Sequence, residues 1–155
     1  MLFITAIATL MLYGFAQRKM QPKPLRGACI AALLLYLFVL FYITMFSRQA
    51  VLEVRWNLTP LRNFDFGMFF GQLLPNILFF IPVGILLVGI LQSRSFILPI
   101  LLGIGLSVCI ELIQLFVHVG ICDVDDLLAN SIGVVLGAVP AQVLPLFAKR
   151  TKPDA

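Results

Sequence analysis

Five apolar runs, Leu2–Ala16, Gly27–Phe46, Leu73–Leu91, Phe96–Val117 and Leu127–Phe147, occupy most of the chain and decide what it can become. A helix crosses the hydrocarbon core of a bilayer with about 20 apolar residues. Uninterrupted stretches of that length satisfy their backbone in lipid only as helices. The runs predict an all-α, polytopic membrane protein, one transmembrane domain over residues 1–155 built from a bundle of about five transmembrane helices. Composition closes the other routes: 61% of the residues are apolar and 12% charged, against about 45–50% and about 25% in soluble domains. A nucleic-acid module, a disordered chain and a cytosolic enzyme are excluded on that ground.

The eleven Lys and Arg residues set the orientation. In the first run the charges Arg18 and Lys19 follow the apolar stretch and none precedes it, the reverse of a secretory signal peptide. It is read as a retained first span, the shortest of the five, with the N-terminus outside. Eight positive charges (Arg18, Lys19, Lys23, Arg26, Arg94, Lys149, Arg150 and Lys152) then fall on the inner side and three (Arg48, Arg55 and Arg62) on the outer. Cytoplasmic loops carry the excess of Lys and Arg, so the C-terminus is expected in the cytoplasm of a multi-pass cell-membrane protein. The loops 47–72 and 118–126, which hold most of the polar chemistry, then face outward. Cys29 and Cys109 lie inside apolar runs and act as small hydrophobes. Cys122 lies in a polar loop and is open to a role as reactive thiol or metal ligand.

Two polar constellations stand out against this background. Glu111 lies six residues, about 9 Å, inward from the end of the fourth run, and a carboxylate at depth must face protein or water rather than lipid. Gln114 and His118 follow at i+3 and i+7, so the three side chains share an arc of roughly 60°. That stripe serves either as interhelical packing glue or as a ligand or proton site. The segment DVDDLLANSIG places Asp123, Asp126 and Asn130 at the same spacing, with Asp125 between them. One aspartate is accounted for by capping the helix start. Three carboxylates repel one another, which calls for a cation, a basic partner or a cationic head group nearby. Asn76 follows Pro75 and either caps its helix or joins this outer group. Arg55 or Arg62 is the expected counterion of the aspartates. Gly133 and Gly137 form a GxxxG face that suits packing of helix five on helix four, or a homo-oligomer contact.

Four segments in matching order resemble the VanZ-like family of bacterial membrane proteins, named for a teicoplanin-resistance protein. Arg55-Trp56-Asn57-Leu58-Thr59-Pro60 resembles the family's R-x-N-L-x-P stretch, and Asn76 through Gly84 resembles N-x-x-x-F-x-P-x-G. Glu111-Leu112-Ile113-Gln114 resembles E-x-x-Q, and Asp123 through Gly133 resembles D-x-x-D-x-x-x-N-x-x-G. The resemblance covers residues of about 50–140. It implies an envelope protein associated with lowered susceptibility to teicoplanin, a lipophilic glycopeptide that binds cell-wall precursors. The family supplies a phenotype class, not a reaction.

HExxH, GxSxG, Walker and Rossmann patterns are all missing from the sequence, and each would have carried a specific chemistry. The first reading is a non-enzymatic protein without a cofactor or bound metal. Its outer pocket of Asn76, Glu111, Gln114, Asp123, Asp126, Asn130 and Arg55 would take a lipid-linked cell-wall precursor or an amphiphilic antibiotic, among membrane lipids as neighbours. The alternative is an integral-membrane enzyme with Glu111 as acid/base and a carboxylate-bound metal. A proton-coupled carrier comes third, because carriers commonly show inverted repeats and this chain has none.

Overall fold

The computed structural model describes residues 2–47, 56–61, 64–92, 95–117 and 122–147. These form five long helices: α1 (Leu2–Lys19), α2 (Pro22–Ser47), α3 (Phe66–Leu91), α4 (Ile97–Phe116) and α5 (Val124–Phe147). Two residues of the segment before α3, β1 (Trp56–Asn57), pair in parallel with two residues before α5, β2 (Cys122–Asp123). The all-α bundle is as the apolar runs predict, with one difference. Among the described residues four helices, α2 to α5, are long and apolar enough to cross a membrane. α1, the shortest expected span, is not among them; its 18 residues end on Gln17, Arg18 and Lys19.

Local chemistry sets the helix ends. Pro22 opens α2, where a missing N–H costs nothing. α3 starts at Phe66, well before its apolar run, because the Asp65 carboxylate accepts from Met68 N at 2.7 Å and caps it. Its second turn, Phe69–Leu73, is π-helical, and Leu74 N–H reaches back to Phe69 O. That widening falls just ahead of Pro75, which removes a donor and crowds the preceding turn. Farther along, Pro82 is buried inside α3 and withholds the N–H owed to Leu78 O. One residue on, the Tyr36 hydroxyl of α2 donates to Phe79 O at 2.7 Å.

α3 is the centre of the bundle. It touches all four other helices, and its contact with α5 is the most extensive among the described elements. About half of the spans of α3 and α5 is buried (56% and 50%), against 17% for α2 and 28% for α4. The α3–α5 contact is close because glycines meet backbone. A Cβ on Gly133 would run into the Ile77 carbonyl, one on Gly137 into the Ile81 carbonyl, and one on Gly84 into the Val134 carbonyl. The GxxxG face thus packs within the chain, but on α3, not on α4 as the sequence reading has it. α4 reaches α5 elsewhere, through Gly103, whose missing Cβ leaves room for the Val134 side chain.

Successive helices alternate in direction, which sorts the charges to the two ends. Gln92, the left-handed cap of α3, donates from Nε2 to Pro22 O at 2.6 Å and ties the end of α3 to the start of α2. Exposed Arg18, Lys19, Lys23 and Arg26 gather there. The opposite end holds the starts of α3 and α5 and carries Asp65, Asp123, Asp125 and Asp126.

Candidate functional site

Buried Asn130 on α5 donates from Nδ2 to the buried Ser107 hydroxyl on α4 at 2.9 Å. Because α4 and α5 run in opposite directions, this bond sets what lies level with what. Four residues toward the acidic end from this pair stand Glu111 on α4 and Asp126 on α5. Three residues farther stand Gln114 and Asp123. Ser107, Glu111 and Gln114 are all buried on one face of α4. The polar stripes of the two helices therefore meet at the same depth.

Each of the three aspartates takes a different neutral donor. Asp123 caps α5: its Oδ1 accepts from Asp125 N at 2.9 Å and from Asn57 Nδ2 at 3.1 Å. The parallel pairing of Asn57 with Asp123 brings those two side chains together. Asp126 Oδ1 accepts from Asn76 Nδ2 at 2.6 Å. Asn76 therefore lies in the site and does not cap a helix, since α3 begins ten residues earlier. Asp125 Oδ1 accepts from Leu61 N at 2.8 Å. Amide and backbone N–H groups thus meet each of the three carboxylates, and the basic partner expected for them, Arg55 or Arg62, falls outside the described residues.

Leu61 is held in the left-handed region, with φ 54°, a conformation that costs a residue with a Cβ about 1–2 kcal/mol. Its N–H bond to Asp125 keeps it there. The segment 56–61 is thus strapped across the mouth of the α4–α5 stripe by Asn57 at one point and Leu61 at another.

Three buried acceptor oxygens at this end have no hydrogen-bond donor among the described residues: Gln114 Oε1, Asp125 Oδ2 and Asn130 Oδ1. Their residues are only 2%, 2% and 4% exposed. Each such atom costs about 1–3 kcal/mol when left unsatisfied. Gln114 on α4 and Asn130 on α5 belong to the stripes that meet between those helices, and Asp125 lies under the segment 56–61.

Arg55, proposed as a site residue and as counterion, lies outside the described residues, as do Arg62 and His118. Among the described residues no three His, Cys, Asp or Glu side chains converge closely enough to hold a metal ion. Of the remaining expected residues, the structure gathers Asn76, Glu111, Gln114, Asp123, Asp126 and Asn130 at one end of the α3–α4–α5 core. It adds Asp125, Asn57 and Ser107, which the sequence reading did not select. Ser107 carried a usable signal, because it precedes Glu111 by one helical turn on the same face. Asp125 carried none, since it points about 100° away from Asp126 on a helix and finds its partner in a separate segment.

An all-α membrane protein with a buried acid-and-amide junction at one end is the class these features define. The sequence matches the VanZ/LLP1 family over residues 33–145. It is also similar to Protein VanZ of Enterococcus faecium, 32% identical over 118 residues that cover 68% of each chain. No solved structure matches it. The chain belongs to the VanZ/LLP1 family.

Proposed function

We propose that this protein is a multi-pass protein of the bacterial cell membrane that lowers susceptibility to glycopeptides of the teicoplanin type. Its acidic end would face outward and bind an amphiphilic or lipid-linked molecule. Family membership and the similarity to Protein VanZ support the phenotype class. The exposed basic cluster at the opposite end of the bundle supports the orientation, because Lys and Arg accumulate on the cytoplasmic side.

The observation that carries the binding reading is the excess of buried acceptors at Gln114, Asp125 and Asn130. A site short of donors selects a ligand that brings them: an ammonium group, an amide N–H or a sugar hydroxyl. Lipid-linked cell-wall precursors and glycopeptides both carry such groups on an amphiphile. Asp126, held by Asn76, and Glu111, level with it on α4, would complete the lining.

The test is the teicoplanin susceptibility of a sensitive bacterial host expressing the chain. The native chain is expected to raise the inhibitory concentration. Glu111→Ala combined with Asp126→Ala is expected to abolish that rise at equal abundance in the membrane fraction. Resistance that persists in this pair, and also in Glu111→Asp and Asp126→Glu, would remove the junction from the function.

A further inference from the structure

α1 and α2 barely touch each other, and each leans on α3 instead. The wedge between them is a crevice of about 280 Å³ that includes Tyr13, Ala16, Ala28, Ala32, Tyr36 and Pro82 in its walls. Three of those side chains are alanines, too short to fill the gap, two of them a turn apart on α2. The lining runs along α2 from Leu25 to Tyr36, a rise of about 16 Å. That is close to one leaflet of a hydrocarbon core of about 30 Å. Tyr36, bonded to Phe79 O, and Pro82 stand at its deep end. Its shallow end opens at Ala16 and Leu25, next to Arg18, Lys19, Lys23 and Arg26, all four exposed.

We propose that this crevice binds one acyl chain of an anionic phospholipid, with the lipid phosphate held by the Arg18, Lys19, Lys23 and Arg26 cluster. Depth matches a single leaflet, the walls are apolar, and the charge at the mouth is of one sign. No acidic residue lies in the described sequence between Leu2 and Ser47 to neutralise it. The site lies at the opposite end of the bundle from the acid-and-amide junction and stands or falls independently of the resistance reading.

Native mass spectrometry of the full chain in detergent, titrated with equal amounts of phosphatidylglycerol and phosphatidylcholine, tests it. One tightly retained phosphatidylglycerol is expected, since each nearby cation favours an anionic headgroup about fivefold. Lys19→Gln with Lys23→Gln is expected to lower that preference on the order of tenfold or more. Ala32→Phe is expected to remove the retained lipid by filling the gap. Equal retention of the two lipids, or a phosphatidylglycerol preference unmoved by the two lysine changes, would overturn the proposal. So would undiminished retention in folded Ala32→Phe. The lysines are exposed, so their variant decides the matter alone if Ala32→Phe does not fold.

Discussion

Gln114 is 2% exposed and its carbonyl oxygen meets no donor among the described residues, a burden that stability alone does not account for. Replacing it with leucine, close to it in volume, removes a desolvation cost of about 1–3 kcal/mol. Gln114→Leu is therefore expected to unfold at the same temperature as the native protein or a few degrees higher. It is expected at the same time to lose glycopeptide protection. A melting curve in detergent set beside a susceptibility assay checks both halves, and a destabilised but still protective variant would show that the side chain serves packing. Asn76 and Asp126 behave differently because they satisfy each other at 2.6 Å. Removing either strands its partner, so a double-mutant cycle of Asn76→Ala and Asp126→Ala is expected to show a coupling of about 1 kcal/mol. Additive melting shifts would contradict the bond. The sequence announces Asn76, Glu111, Gln114 and Asp126 because polar side chains within apolar runs are conspicuous. It names Asp125 and Asn57 within their motifs but not their partners, which depend on a strap that crosses from β1 to β2.

At the scale of helices, apolar length was readable and partner choice was not. The runs locate α2 to α5, and Gln17 with the charges of Arg18 and Lys19 closes the apolar stretch of α1 early. Helix α3 begins earlier than its run because Asp65 caps Phe66–Met68 and the following turn carries phenylalanines. Phe66 stacks on Phe70, and Phe69 meets Phe70 edge-on. The GxxxG spacing of Gly133 and Gly137 identifies a face, since the helical period does that much, but a period does not say which neighbour the face meets. α3 won that place because its own Gly84 matches the approach from the other side. The pairing makes a sharp contrast testable. Gly137→Ala pushes a methyl into the Ile81 carbonyl, backbone that cannot swing aside, and overpacking of this kind costs about 1–3 kcal/mol. Gly105→Ala on α4 meets nothing within 4 Å and is expected to be neutral or to stabilise, by about 0.5–1 kcal/mol. Thermal unfolding of the two variants in the same detergent distinguishes them, and equal melting points would mean that α3 and α5 are not in backbone contact.

At the scale of the whole molecule, the charges among the described residues divide the bundle into a basic end and an acidic end, and the functional reading depends on which of them meets the wall. In the proposed orientation, which follows the positive-inside rule, Arg18, Lys19, Lys23 and Arg26 would face the cytoplasm. The strap 56–61, the capping Asp65 and the junction of α4 with α5 would then lie at the outer surface, where a glycopeptide acts. Single cysteines introduced on a background with Cys29, Cys109 and Cys122 changed to alanine read this directly. Phe66, 83% exposed at the acidic end, and Lys23, exposed at the basic end, are suitable positions. In intact cells a membrane-impermeant maleimide is expected to label Phe66→Cys at once and Lys23→Cys only after the membrane is opened. The reverse pattern would turn the junction toward the cytoplasm. A glycopeptide that stays outside the membrane could not then be its ligand, and the donor-poor site would have to serve a molecule made or handled on the inner face.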